Sequence, residues 1–131
     1  MKMTKKKIEQ VAKDIREFLD SKFLNGDCRI YFNGKCWEHG AEDEPITWEG
    51  HNLIDKPKRY GWKEIANINP KDYIDYADGI ITMSFEGSFY NTLNYPEEYD
   101  YATVERFNDL LRAYGLCYEM GNAWNLSIYK I

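Results

Sequence analysis

The sequence has few of the residues that build metal centres and disulfide frameworks. It contains three cysteines and two histidines, and the odd number of cysteines, without a C-x-x-C pair, is not typical of a disulfide scaffold. The only set that zinc could use is Cys28, Cys36, His39 and His51. We therefore expect reduced thiols, no metal site and no cofactor.

Long apolar runs and the common nucleotide and nucleophile motifs are also missing. No run approaches the roughly 20 apolar residues of a membrane helix, and there is no Walker loop, no G-x-G-x-x-G and no G-x-S-x-G. The chain starts with a charged helix rather than the apolar core of a signal peptide. These absences predict a cytoplasmic protein without a membrane segment or a recognisable catalytic centre.

The chain has the length of one self-supporting domain. A core in its 131 residues can bury about two thirds of the unfolded surface. Hydrophobic residues at 44% and charged residues at 30% are ordinary for a globular protein, whereas 16% aromatic residues, with eleven tyrosines, is high. We predict a single domain over residues 1–131.

Two stretches have the spacing of amphipathic helices, residues 4–24 and 101–114. Asp100 caps the second helix, because its carboxylate can accept hydrogen bonds from the free amides of the first turn. Gly115 ends this helix, because glycine adopts the left-handed conformation without steric cost. The apolar face of the first helix consists of Ile8, Val11, Ala12, Ile15, Phe18, Leu19 and Phe23.

The pair Asn33-Gly34 predicts a hairpin with a type I′ turn. Its register joins Arg29 to Glu38, Ile30 to Trp37, Tyr31 to Cys36 and Phe32 to Lys35. Because side chains alternate along a strand, Cys28, Ile30, Phe32 and Trp37 then face the first helix. Cys36 points to the other side, which disfavours a zinc site with Cys28 and His39.

The end of the chain predicts a closing hairpin with Gly121-Asn122 as its two-residue loop. That register pairs Met120 with Ala123. One face, expected under the helices, carries Cys117, Trp124, Leu126 and Ile128, and the other carries Leu116, Tyr118, Met120 and Tyr129.

The middle of the chain completes the predicted fold. Residues 79–85 alternate as a strand, and Glu86-Gly87 is expected to turn it into a second strand at 88–92. Asn69-Pro70 predicts a helix to about residue 77, and short strands are expected at 46–48 and 62–65. The sequence thus predicts an α+β fold, an antiparallel β-sheet built from three hairpins with the two main helices packed on one face.

Residues 72–109 are strongly acidic and rich in tyrosine. They hold nine Asp or Glu residues against Arg106 alone, a net charge of −8, and six tyrosines. Tyrosine offers rigid contact area, and carboxylates steer basic surfaces, so the pattern predicts an interface for a basic protein partner. The candidate partner-binding residues are Asp72, Tyr73, Asp75, Tyr76, Tyr95, Glu97, Glu98, Tyr99, Asp100 and Tyr101.

A stronger version of this hypothesis is nucleic-acid mimicry, in which carboxylates take the places of phosphates on a nucleic-acid-binding protein. Direct binding of nucleic acid is not expected from a chain of net charge −5. In composition, small acidic tyrosine-rich α+β chains of this kind resemble some phage and mobile-element inhibitors of host defence. The resemblance implies a basic, nucleic-acid-binding host protein as the partner.

Two alternatives stay open at this point. The acidic face is ordinary solvated surface with tyrosines half buried beneath it, or the protein is a small enzyme or ligand-binding protein. The second alternative places an aromatic-lined pocket near residues 46–65, with His39 or His51 as acid or base. Both histidines are nevertheless expected at the surface, in polar loops, and no oligomeric state is predicted.

Overall fold

An antiparallel β-sheet of six strands is the scaffold of the protein. The computed structural model describes residues 3–40 and 61–131 fully, and between them only the backbone of two short strands. In chain order the strands are β1 (Cys28–Phe32), β2 (Lys35–His39), β3 (Ile46–Glu49), β4 (Asn52–Asp55), β5 (Trp62–Ile65), β6 (Ile81–Phe85), β7 (Leu116–Asn122) and β8 (Asn125–Lys130).

The main sheet has the strand order β5-β2-β1-β6-β8-β7. Every neighbouring pair is antiparallel, and β3 and β4 form a separate two-stranded sheet. Strands predicted at 46–48 and 62–65 are present as β3 and β5, and β5 lies at a sheet edge as expected. The predicted α+β class, an antiparallel sheet with helices packed on it, is confirmed.

Four helices and one 3₁₀ turn complete the described chain: α1 (Lys5–Ser21), the turn Pro70–Asp72, α2 (Ser88–Asn94), α3 (Pro96–Tyr99) and α4 (Tyr101–Arg112). The Thr4 hydroxyl accepts from the Lys7 amide at the start of α1. The two main helices therefore form where the sequence predicts them, each ending a few residues earlier than expected.

One face of the sheet, here called the helix-covered face, holds the main core. The predicted register of β1 with β2 is confirmed, from Arg29 opposite Glu38 to Phe32 opposite Lys35. As expected, this hairpin turns its apolar side chains toward α1. The fully buried core side chains come from α1, α2 and α4 and from the strands β1, β6, β7 and β8. They include Val11, Ile15, Leu19, Cys28, Ile30, Met83, Phe85, Phe89, Phe107, Leu111, Leu116, Leu126 and Ile128.

Phe107 on α4 is the centre of an aromatic cluster within that core. Its ring centroid lies 5.6 Å from that of Phe18 on α1, 5.3 Å from that of Phe89 on α2 and 5.3 Å from that of Tyr118 on β7. Phe89 in turn contacts Phe85 at the end of β6, at 5.2 Å. One side chain of α4 therefore joins both main helices, the short helix and the outermost strand.

The prediction of a strand at residues 88–92 is wrong, because this stretch belongs to α2. Phe89 and Thr92 are buried and Leu93 packs on the core, so the inward side chains are three or four residues apart. That is a helical spacing. Gly87 precedes α2 in a tight place, since a Cβ atom there would lie 2.5 Å from the Gly26 carbonyl oxygen.

The predicted register of the closing hairpin is also wrong. Met120 pairs with Leu126 and Asn122 with Asn125, so the turn is formed by Ala123 and Trp124. The buried Asn125 side chain fixes this turn, because its Oδ1 accepts from the Asn122 amide at 2.6 Å. Gly121 is needed for a close approach, since a Cβ atom there would lie 2.9 Å from the Asn125 side chain.

The shifted register changes which side chains of the hairpin face the helices. Leu116, Tyr118, Leu126 and Ile128 pack in the main core. Trp124 packs on a second, smaller cluster on the opposite face of the sheet, around Tyr31, Cys36, Ile74 and Ala77. Cys117 is only half buried, so the expectation that Cys117 and Trp124 lie under the helices is incorrect.

The segment after Asn69 is much less helical than predicted. Asn69 does cap the first turn, its Oδ1 accepting from the Lys71 amide at 3.0 Å, but the turn ends at Asp72 instead of continuing to residue 77. Ile74 and Ala77 are buried as a cover over the second face of the sheet. Tyr76 has a positive φ of 62°, which is incompatible with a continuing α-helix.

The end of α1 carries an unusual side chain. Phe23 has φ 55°, and the Leu24 amide donates to the Leu19 carbonyl at 2.8 Å, closing the helix as a Schellman motif. Glycine is the usual residue at this position because it has no Cβ atom. The Phe23 ring is 83% exposed, so its expected burial on the helix face is wrong.

We predict that Phe23→Gly raises the free energy of unfolding by about 1 kcal/mol, because it relieves left-handed strain and removes an aromatic ring with few contacts. A protein of this size should then melt about 4 °C higher. Phe23→Ala, which loses the ring but keeps a Cβ atom, is the control and should show no such gain. A lower melting temperature for Phe23→Gly would mean that the ring has stabilising contacts.

The predicted end of α4 at Gly115 is supported by its φ of 73°. We expect Gly115→Val to lower the free energy of unfolding by about 1–3 kcal/mol, because a β-branched residue resists this conformation. Gly40→Val is a matched control, since Gly40 has no positive φ and an added Cβ atom has no neighbour within 4 Å among the described residues. Equal chemical denaturation midpoints for both variants would contradict the assignment.

Candidate functional site

Exposed aromatic side chains are concentrated in the segment that the sequence singles out. Tyr73 and Tyr76 are each 65% exposed, and Tyr95, Tyr99 and Tyr101 are 51%, 55% and 57% exposed. These five account for most of the eight large hydrophobic side chains exposed in the described residues. Five of the six tyrosines of residues 72–109 are therefore exposed, and Tyr90 is partly buried against the main core.

One part of this segment is the 95–101 corner, which contains Tyr95, Glu97, Glu98, Tyr99, Asp100 and Tyr101. It connects α2 to α4 through the single turn of α3, whose first residue is Pro96. The Asn94 side chain holds the corner to the sheet, since its Nδ2 donates to the Tyr90 carbonyl at 2.9 Å and to the Ala123 carbonyl at 2.7 Å. The corner is thus attached to the β7–β8 turn.

Asp100 has a structural role in this corner, as the sequence predicts. Its Oδ2 accepts from the Thr103 hydroxyl at 2.7 Å, and its Oδ1 accepts from the Ala102 amide at 2.9 Å. These hydrogen bonds, the one from Thr103 first, lower the pKa of the Asp100 carboxyl. Asp100 therefore caps α4 and stays charged, and its replacement would disturb the helix as well as the surface.

Glu97 and Glu98 are the free charges of the corner. Both are exposed, and the ion pairs among described residues, such as Lys71 with Asp78 at 3.7 Å, do not include them. The Glu97 carboxylate accepts one long hydrogen bond, of 3.5 Å, from the Tyr101 hydroxyl. Two carboxylates without a described cation stand beside three exposed tyrosines.

The other part is the 72–76 turn, which contains Asp72, Tyr73, Asp75 and Tyr76. Its backbone is held to β8 by side chains of the sheet. Asn125 Nδ2 donates to the Asp75 carbonyl at 3.2 Å, and the Ser127 hydroxyl donates to the Tyr76 carbonyl at 3.0 Å. The sequence reasoning missed Asn125 and Ser127, whose only signal was a polar residue at alternate positions of an apolar strand.

The ten candidate residues do not form one continuous patch. The 95–101 corner belongs to the helical layer, whereas the 72–76 turn lies over the opposite face of the sheet. Both border the β7–β8 turn, because Asn94 bonds to Ala123 on one side and a Cβ atom at Gly121 would lie 3.2 Å from Tyr76 Cβ on the other. The β7–β8 turn therefore lies between the two parts and borders both.

The second face of the sheet has a small polar cavity. Its volume is about 80 Å³, and its lining consists of Asp27, Arg29, Glu38, His39, Ser84, Glu86 and Trp124. Ligand pockets usually measure about 300–1,000 Å³, so this cavity is too small for an ordinary substrate. Arg29 is already paired with Glu38, at 3.4 Å.

His39 is not the surface residue that the sequence predicts. It is only 6% exposed, because it ends β2 and its ring packs edge-to-face on Trp62 with centroids 5.3 Å apart. Its Nδ1 bonds to the Gly40 carbonyl oxygen at 2.9 Å. Glu38 and His39 are consecutive in a strand, so their side chains leave the backbone on opposite faces, and the cavity that both line is the small polar one of about 80 Å³.

The rest of the predicted aromatic pocket, including His51, lies outside the described residues apart from Trp62 and Ile65. A wider groove of about 510 Å³ lies between the start of α1 and the end of β8. The Tyr114 hydroxyl in this groove donates to the Asp14 carboxylate, which raises the pKa of Tyr114 to about 12. The described residues that line the groove include no histidine, aspartate or glutamate, the side chains that most often act as acid or base.

The cysteines are placed as the first hairpin predicts. Cys28 lies in the main core and Cys36 in the cluster on the opposite face. Burial raises the pKa of the Cys36 thiol to about 12, against the opposing effect of nearby Arg29. Within the described ranges, no group of three or more His, Cys, Asp or Glu side chains is arranged to hold a metal ion.

Comparison of the chain with protein-family models, curated proteins and solved structures finds no significant match. Among the helices of the described residues, none is long and apolar enough to cross a membrane.

We predict that one thiol, Cys117, reacts rapidly with an aromatic disulfide reagent at pH 8, and that two more react only after unfolding. Cys28 and Cys36 are buried, and a thiol with a pKa of about 12 is ionised in roughly one molecule in 10⁴ at that pH. The variant Cys117→Ser should lose the rapid phase. Two rapidly reacting thiols in the native protein would contradict this arrangement.

Proposed function

We propose that this protein is a binding module that holds a basic protein partner through the 95–101 corner and the 72–76 turn, with no catalytic centre of its own. The observation that carries the proposal is the exposure of five tyrosines beside carboxylates that have no described cationic partner. Tyrosine is enriched among the residues that dominate binding energy in protein interfaces. Five exposed tyrosine rings in these two short segments therefore indicate a surface for a protein partner.

The charge pattern supports the same proposal. A net charge of −8 over residues 72–109 costs stability through repulsion within the surface. A basic partner relieves that repulsion, and the negative potential speeds its approach. The carboxylates of Glu97 and Glu98 are free to act in this way, whereas Asp100 is already used as a helix cap.

The class of partner follows from the same chemistry. Proteins that bind nucleic acid present clustered Lys and Arg side chains to phosphates, and an acidic surface can occupy those side chains instead. In this proposal the protein acts in the cytoplasm as an inhibitor of such a basic host protein, as the resemblance to phage and mobile-element inhibitors implies. DNA or RNA should then compete with it for the partner.

The test is charge reversal confined to the corner. A partner recovered from the host by affinity capture should associate with Glu97→Lys/Glu98→Lys about tenfold or more slowly at low salt, with a weaker dependence on salt, because rim charges act mainly on association. Asp100 is left unchanged because it caps α4. The control is Glu17→Lys at an exposed position outside residues 72–109, and it is compared with Glu98→Lys alone so that both variants change the net charge equally.

Tyr99→Ala in the same experiment should speed dissociation, because loss of an anchoring ring acts on the bound state. Surface plasmon resonance measures the association and dissociation rates separately and so distinguishes the effect of the charges from that of the tyrosine ring. Equal rates for wild type, the corner variant and the control at low and physiological salt would overturn the proposed function.

A further inference from the structure

We propose that the basic partner binds by adding an extended strand to the free edge of β7. This inference rests on the proposed function, because it assigns a binding mode to the same acidic surface. Strand addition is a common mode of peptide recognition in which main-chain hydrogen bonds supply affinity and neighbouring side chains supply specificity.

β7 is the outermost strand of the sheet, and among the described strands it pairs with β8 alone. The Ile131 amide donates to the Gly115 carbonyl at 3.0 Å, which makes these opposed residues a hydrogen-bonded pair. Such pairs alternate along antiparallel strands, so Cys117 and Glu119 direct their amides and carbonyls toward β8. Leu116, Tyr118 and Met120 direct theirs outward, as one row that a further strand can use.

The two edges of the sheet differ in how they are protected. β5 has four residues, and its side chains are tied inward: Trp62 Nε1 donates to Asp20 at 2.8 Å, and Glu64 accepts from Trp37 at 2.9 Å. β7 has seven residues and contains neither Lys nor Pro, two residues that commonly guard an edge. Its register with β8 is regular from Leu116 to Met120 and shifts only between Met120 and Asn122, so five residues of the edge are in regular strand pairing. β7 is therefore the edge that is open to pairing.

The one charge on β7 selects the kind of strand that it accepts. Glu119 is exposed near the middle of the strand. Two copies of β7 paired antiparallel about this region would bring the two Glu119 carboxylates close together, and like charges placed opposite each other are destabilising. A strand with lysines at alternate positions instead places a positive charge opposite Glu119, which is stabilising. Glu119 therefore favours a basic partner over a second copy.

The position of β7 also explains why the acidic tyrosine residues are divided. α4 leads through Gly115 directly back into β7, with Phe107 on Tyr118, so the 95–101 corner at the start of α4 lies at the end of β7. The 72–76 turn lies beside Gly121 on the opposite face. A strand added to β7 runs between the two surfaces, and one partner can contact both.

The probe for this inference is a blocked seven-residue peptide of alternating lysine and valine, titrated into isotope-labelled protein. We expect chemical-shift changes at Leu116, Tyr118 and Met120 and in the 95–101 corner. A second version of the peptide carries N-methyl groups on the backbone amides that would point toward β7. It should bind at least tenfold more weakly, since N-methylation blocks strand pairing without changing the protein. A peptide of alternating glutamate and valine should not bind.

A matched pair of variants tests the edge itself. Met120→Pro removes an outward amide and no hydrogen bond to β8, which is a tolerated place for proline, and should weaken the Lys/Val peptide about tenfold. Met120→Ala keeps the amide and should stay within about twofold. The inference would be overturned by chemical-shift changes that lie outside β7, by equal binding of the N-methylated peptide, or by a dimer of the protein that Met120→Pro dissociates.

Failure of this inference and failure of the proposed function give different results. If the captured host partner is weakened by Glu97→Lys/Glu98→Lys but not by Met120→Pro, the acidic surface binds its partner in another mode. If neither change affects the host partner, the proposed function itself is wrong.

Discussion

The packing of Phe107 against three neighbours is the interaction on which the arrangement of this protein depends. Truncation of a buried aromatic side chain of this kind costs about 3–5 kcal/mol in other proteins, which is a large part of the stability of a small domain. Phe107 holds α4 to α1 through Phe18, to α2 through Phe89 and to β7 through Tyr118. The 95–101 corner lies in the chain between Phe89 and Phe107, so the packing of these two rings fixes the position of its exposed tyrosines.

A second constraint acts from the opposite face of the sheet. There the buried polar residues Asn125 and Ser127 hold the backbone of the 72–76 turn, and Ile74 and Ala77 cover Tyr31 and Cys36. The turn displays Tyr73 and Tyr76 because its apolar residues are the ones used for packing. Two unrelated sets of contacts thus bring tyrosine and carboxylate side chains to the borders of the same outer hairpin.

The parts of the fold that local chemistry determines could be predicted from the sequence. Asn33-Gly34 requires two positive φ values and fixes its register, and Asp100 and Gly115 mark the ends of α4. The closing hairpin failed because Gly121 resembles a turn residue but serves a close approach to Asn125, a contact made through the tertiary structure. Residues 88–92 failed because the helical spacing of the buried Phe89 and Thr92 follows from tertiary packing, in which Phe89 contacts Phe107. The division of the acidic residues between two faces depends on tertiary contacts as well, those of Asn94 for the corner and of Asn125 and Ser127 for the turn.

The most direct measurement is hydrogen–deuterium exchange of the protein alone and bound to the captured basic partner. Amides that point outward from an edge strand exchange quickly in the free protein, so protection there reports a new strand. Binding through the acidic tyrosine surfaces and the β7 edge predicts slowed exchange in three segments together: 72–76, 95–101 and 116–122. Protection confined to α1 or to the β5 edge, with these three segments unchanged, would contradict it.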